Sequence, residues 1–211
     1  MREVEKPKID WLARLQVKFR LSTLARKVGV SVQTIDRFNI GYDFSTDRYL
    51  IPMYDTTGIC GIQETWFDGK ERKKKCQRYS KHGWFLPEIY FLKKPLFYKP
   101  TLGEENLFIC EGWSDAAVVT ELGLWAFGKF NALAAELPPF VSFVNDIKNI
   151  YIISDTDPVG IKGSRKLQKL IPNSEVLIPY GFKDIRCMYL AEGAEKTKEW
   201  VKEQTETKMI P

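Results

Sequence analysis

NLFICEG (residues 106–112) and KNIYIISDTD (residues 148–157) decide the fold. Each is a short apolar run without alternation, the pattern of a strand buried on both faces of a sheet. Each ends abruptly in acid: Glu111 closes the first, and Asp155 and Asp157 follow directly on the second. Working outward, SDAAVVTELG (114–123) reads as a helix with Ser114 as N-cap and Gly123 as its stop. LWAFG (124–128) is another short buried run, and ALAAEL (132–137) begins a helix before the Pro138-Pro139 break. GSRKLQKLI (163–171) is a helix, SEVLIPY (174–180) a fourth strand, and residues 192–207 a charged helix. Strand and helix alternating in this way predict an α/β fold with a parallel-rich sheet and right-handed crossovers.

In open α/β sheets, ligands bind in the crevice outside the carboxyl ends of the strands. Three acids fall there. Oxygen donors without histidine or cysteine suit a hard cation such as Mg²⁺, which needs few carboxylates because it keeps waters and substrate phosphates as ligands. Taken singly, each acid could be an ordinary loop or helix-capping residue. Their joint placement at the tips of two core strands makes a metal site the stronger reading.

Before residue 105 the pattern differs. Leu12, Leu15 and Phe19 recur at helical spacing, and LSTLARKVGVSVQTIDRF (21–38) reads as two short helices broken at Gly29, with Ser31 capping the second. Residues 48–54 and 59–67 are β-rich runs separated by a turn, a hairpin or adjacent strands. FDGKERKKKCQRYS (67–80) is expected as a polar, strongly basic loop, and the prolines of 87–100 mark connecting structure. A smaller helical plus β-rich basic subdomain over residues 1–100 is therefore expected. A metal-binding domain over 101–191 and a charged helix or tail over 192–211 should follow it.

Composition agrees with this division. The net charge of +5 hides 20 Lys/Arg against 11 Asp/Glu in residues 1–100 and 12 against 16 in residues 101–211. A basic half suits a polyanion, and an acidic half suits a cation. The four cysteines are scattered with no CxxC pair, and His82 is the single histidine. Zinc, a disulfide framework and histidine catalysis are all disfavoured. No apolar run is long enough to cross a bilayer, and the start lacks a secretory signal, so a soluble, cytoplasmic protein with no membrane partner is expected.

FICEGWSDAAVV (108–119), followed by IYIISDTDPVGIKGSRKL (150–167), resembles the TOPRIM domain of bacterial-type primases, type IA and II topoisomerases and some nucleases. Glu111-Gly112 and Asp155-Thr156-Asp157 match its Glu-Gly and Asp-x-Asp elements. EGWSD, with Asp115, looks more like primases. VGVSVQTIDRFNIGYD (28–43), RYLIPMYDTTGICGIQ (48–63), QRYSKHGWFLPEIYF (77–91) and Lys183-Asp184 before Met188-Tyr189 resemble further primase segments.

The resemblance implies a DNA primase-like nucleotidyltransferase acting in replication. Catalytic Glu111, Asp155 and Asp157 would hold Mg²⁺ or Mn²⁺, with Asp115 and Asp184 as further ligands or orienting groups. It implies a single-stranded DNA template and NTPs as partners, with a replicative helicase acting in trans, since the sequence carries no P-loop. The sequence also departs from the family. It shows no zinc-module spacing, and Gln63-Glu64-Thr65-Trp66 stands where primases often carry an arginine.

Nucleotide and nucleic-acid contacts are expected from Arg48, Arg72, Lys73, Lys74, Lys75, Arg78, Tyr79 and Lys81. Charge that tracks phosphates with interleaved rings is how single strands are held. Lys162, Arg165 and Lys183 are expected to neutralise phosphate near the acids. Two rivals remain: a TOPRIM nuclease, and a non-catalytic DNA-binding protein. The second would use residues 21–38 as a helix-turn-helix, with Arg26, Lys27, Gln33 and Arg37 facing a groove.

Overall fold

The computed structural model describes residues 14–55, 58–69, 71–87, 106–130 and 147–206. The expected helix at 132–137, most of the connecting stretch 87–100 and Lys70 of the basic run lie outside the described residues. The chain divides into two compact units, residues 1–99 and 100–211.

In the first unit, helices α1 (Arg14–Val28) and α2 (Val32–Arg37) are separated at Gly29, as the sequence suggests. Ser31 caps α2 by accepting the Thr34 amide at 3.2 Å. Strands β1 (Gly41–Asp43), β2 (Arg48–Asp55), β3 (Gly58–Asp68), β4 (Glu71–Cys76) and β5 (Trp84–Phe85) follow. β2 and β3 form the expected antiparallel hairpin. Leu24, Ile35, Phe38, Ile51 and Met53 are buried in this unit's core.

The expected basic loop is corrected here, because residues 71–76 are a strand, paired antiparallel to β3 with Lys73 opposite Trp66 and Lys75 opposite Glu64. An exposed edge strand carries no buried face, so its charge masks the strand period. Lysine on an edge also discourages pairing with other chains.

In the second unit, β6 (Asn106–Cys110), β7 (Trp125–Lys129), β8 (Asn149–Ile153) and β9 (Ser174–Leu177) are parallel, in the order β7-β6-β8-β9. Helix α3 (Trp113–Glu121) connects β6 to β7, and α4 (Pro158–Leu170) connects β8 to β9. This is the parallel α/β arrangement expected from the apolar runs, whose side chains from Leu107 to Cys110 and Ile150 to Ile153 are buried.

Two boundaries differ from expectation. α3 begins at Trp113 with Gly112 as N-cap, so Ser114 is a buried residue inside the helix rather than its cap. The final helix, α5 (Ile185–Glu206), starts before residue 192 and is interrupted at Gly193, whose φ of 84° leaves the helical region. The charged segment read from the sequence is the part after that break.

Candidate metal centre

The order β7-β6-β8-β9 reverses direction at the β6–β8 pair. The β6 crossover leads to one side, and the chain then returns to the other. Such a switch point opens a crevice at the carboxyl ends of the two strands. Glu111 directly follows β6, and Asp155 lies two residues beyond β8, so the two acids flank the crevice.

Gly160, in the first turn of α4, shows how closely they approach. A methyl group built on Gly160 would lie 2.7 Å from Asp155 Cβ, 2.9 Å from the Asp155 carbonyl and 3.1 Å from Glu111 Oε2. The Glu111 carboxylate and the Asp155 Cβ are therefore within about 6 Å of each other. Glycine is what leaves room for the two acids and the helix to meet.

The electrostatics follow from this crowding. Burial, then the charges of Glu111, Asp184 and Asp157, push the Asp155 carboxyl up to about 7, against the opposing pull of Lys183. Like charges gathered in low dielectric disfavour ionisation unless a cation joins them. Asp115, in the first turn of α3, is buried. Burial raises the Cys110 thiol, with the charges of Asp115 and Asp155 adding to the effect.

Asp157 and Asp184 have second roles. Asp157 caps α4, accepting the Gly160 amide on Oδ1 at 2.8 Å. Asp184 Oδ1 accepts the Cys187 amide at 2.6 Å at the start of α5. Each cap engages one carboxylate oxygen. Among the described residues, no three acids as they stand form a ready ligand cage. The donor set still fits a hard divalent ion, being all carboxylate and gathered at one sheet edge around an acid whose ionisation is suppressed by burial and then by its neighbours. The caps give a direct expectation. Asp157→Asn should leave the fold and its melting temperature unchanged, because asparagine caps as well as aspartate. Asp157→Ala should cost about 1 kcal/mol in a denaturant titration, and equal losses in both variants would contradict the cap.

Lys129 escapes a reading by sequence alone. It ends β7, adjacent in the sheet to the Cys110 end of β6, and is only 1% exposed. Burial lowers its ammonium, while the charges of Glu111 and Asp155 raise it in opposition. A signal for it does exist: a lysine ends an apolar run at the level of the sheet where the acids stand.

Lys183 acts on Asp155, as its effect on that carboxyl shows. Lys162 and Arg165 lie on the exposed side of α4, where Arg165 donates to Gln168 at 3.0 Å.

The basic residues of the first unit are sorted by the β-strand alternation. Lys73 and Lys75 lie on one side of β4, and Arg72 and Lys74 on the other. The Lys73 side also holds Arg48 and Trp66, with the Arg48 guanidinium 4.7 Å from the Trp66 ring centre. Arg48 and Lys75 both pair with Glu64, at 2.5 and 3.3 Å, and Lys73 pairs with Glu71 at 2.8 Å. Burial raises Glu64, but its bonds to Arg48, Gln77 and Lys75 outweigh this and hold it below the usual range. Tyr79 is exposed beside Arg78, whose guanidinium lies 4.9 Å from the ring centre, and Lys81 is exposed.

In the segment read as a helix-turn-helix, Arg26, Lys27 and Gln33 are exposed and Arg37 is half-buried. α2 has six residues, about 9 Å of helix, with Thr34 and Ile35 buried. Lys27 lies 3.9 Å from the Phe67 ring centre. Among the described residues, no helix is long and apolar enough to cross a membrane.

No family model matches the chain, and no curated protein matches its sequence. Solved structures do resemble it. The primase fragment of the bacteriophage T7 primase-helicase protein superposes with a TM-score of 0.63 at 18% identity, covering 83% of this chain and 72% of that one. The E. coli primase catalytic core gives 0.61 at 16% identity, over 90% of this chain and 74% of that one. A DnaG primase catalytic domain bound to single-stranded DNA gives 0.59 at 15% identity, over 88% and 71%. The chain shares the fold of primase catalytic cores.

Proposed function

We propose that this chain is a primase-type nucleotidyltransferase, which joins nucleoside triphosphates into short primers on single-stranded DNA with Mg²⁺ or Mn²⁺. The observation that carries this reading is the approach of Glu111 and Asp155 across the switch point of the parallel sheet, with Asp157 and Asp184 adding charge to the same cluster. A site that concentrates carboxylates where ionisation is penalised gains most from a divalent cation.

When bound there, the ion would neutralise charge on the triphosphate and its leaving oxygen. Glu111, Asp155 and Asp157 are the residues that would hold it. Asp115 and Asp184 orient the cluster, Asp184 from the start of α5. Lys183, whose charge already reaches Asp155, is suited to a substrate phosphate. Lys162 and Arg165 on the outer face of α4 suit phosphates further out. The shared fold supports the reading. One similar structure is a primase domain bound to single-stranded DNA, and another is part of a primase-helicase protein. Single-stranded template and NTPs are therefore the proposed partners, together with a replicative helicase.

The test is incubation with single-stranded DNA, labelled NTPs and Mg²⁺ or Mn²⁺. Short oligonucleotides complementary to the template are expected. Shortening of end-labelled DNA without new product would instead establish the nuclease.

For the template, the side of β4 shared by Lys73, Lys75, Arg48 and Trp66 combines cations with a ring. Lys73→Ala with Lys75→Ala should weaken binding of every single-stranded sequence. It should also flatten the log–log salt dependence by about 1.4, roughly 0.7 for each lost phosphate contact. An unchanged slope, with flattening in Arg72→Ala/Lys74→Ala instead, would move the template to the other side of the strand.

A further inference from the structure

We infer that Tyr180 is a stacking platform for the base of the nucleotide whose phosphates meet the acidic edge. This rests on reading that edge as a nucleotide-phosphate site. Tyr180 lies in the segment 178–184, between β9 and α5, and is 78% exposed. Its backbone is held firmly against the Asp-x-Asp turn at both ends. The Ser154 amide donates to the Leu177 carbonyl at 2.9 Å, and the Thr156 amide to the Lys183 carbonyl at 2.9 Å. The Thr156 hydroxyl donates to the Phe182 carbonyl at 3.0 Å. Within the segment, the Tyr180 amide donates to Ile178 and the Phe182 amide to Pro179. Asp155 thus sits between two residues bonded to this segment, and Tyr180 is two residues, at most about 7 Å of chain, from the Phe182 contact.

Two exposed apolar side chains belong to the segments that meet at that turn: Tyr180 in the segment bonded to it, and Val159, two residues past Asp157 in the first turn of α4. Exposed apolar groups beside a dense acidic cluster call for a ligand with both characters. Lys183, three residues from Tyr180 on the same segment, reaches Asp155 with its charge. A rigid segment offering a cation near the acids and a ring beyond it suits a nucleoside triphosphate, whose phosphates and flat base lie at opposite ends. An aromatic ring accepts any base, because every base has a π-face.

The test is equilibrium binding of Mg²⁺·ATP and of Mg²⁺·tripolyphosphate, which carries the phosphates without a base. Tyr180→Ala should weaken ATP roughly tenfold or more, the usual loss for a stacked base, and leave tripolyphosphate unchanged. Tyr180→Trp should retain ATP affinity. An equal loss for both ligands, or no loss for either, would overturn the assignment. Wild type binding neither ligand would remove the nucleotide-site reading and the platform together. A differential effect on ATP in a protein that makes no primers would sustain the platform and sink the primase reading.

Discussion

Asp155→Asn is expected to lower the proposed primer synthesis by about a thousandfold or more and to raise the melting temperature of the metal-free protein. The first effect follows from losing a carboxylate that would share a divalent ion with Glu111, since such an ion contributes several kcal/mol to phosphoryl transfer. The second follows from the pH linkage of one acid. Asp155 is pushed up to about 7, against an ordinary 3.8, by burial and then by the charges of Glu111, Asp184 and Asp157. Below about pH 3 the folded and unfolded chains are both protonated here, and the group costs nothing. As pH rises towards 7 the unfolded chain ionises first, so stability falls. Above 7 the penalty is full and constant. Unscreened, a carboxyl raised this far would destabilise the fold by about 4 kcal/mol, but the group is partly solvated, and screening leaves on the order of 2 kcal/mol. Asparagine removes that penalty. Thermal melts with chelator at pH 8 should show the variant a few degrees higher, and melts near pH 3 should show no difference. A variant that melts lower at pH 8, or retains wild-type synthesis, contradicts the account of this acid.

Gly160→Ala should be the second damaging change, although it lies in a helix and removes no functional group. Alanine is the better helix former by about 1 kcal/mol, so the exposed-helix expectation is stabilisation. Here the added methyl would meet Asp155 Cβ at 2.7 Å and the Asp155 carbonyl at 2.9 Å, neither of which is the flexible end of a side chain. Overpacking of that kind costs about 1–3 kcal/mol and wins. Its third neighbour is Glu111 Oε2 at 3.1 Å. The same methyl therefore pushes the two acids apart, and a displacement near 1 Å is enough to lose about a hundredfold in rate. Chemical denaturation and primer synthesis together check this. An alanine variant as stable and active as wild type would mean the acids do not meet at this helix.

The parallel sheet is legible in the sequence because β6 and β8 are buried on both faces, which leaves continuous apolar runs. Glu111 and the Asp155–Asp157 pair are legible because they break those runs at the carboxyl edge. Other features hide for identifiable reasons. β4 reads as a loop because an edge strand of Arg72, Lys73, Lys74 and Lys75 buries neither face. Ser114 looks like a cap by type, yet the cap position belongs to Gly112. The double duty of Asp157 and Asp184 as helix caps needs the helix starts to be known to the residue. Lys129 hides because a lysine after an apolar run reads as a return to solvent, whereas parallel pairing with β6 keeps it buried at the edge where the acids gather. Tyr180 reads as the end of a strand, and it is the hydrogen bonds of Ser154 and Thr156 that bring its segment to the acids.

Manganese binding by the intact chain tests the central claim most directly, with the ion's paramagnetic resonance signal read as free Mn²⁺ is depleted. Wild type should bind Mn²⁺ and release it to excess Mg²⁺, while Glu111→Gln and Asp155→Asn, folded by circular dichroism, should lose that binding. Equal Mn²⁺ affinity in wild type and both variants would contradict a metal centre at the β6–β8 switch point.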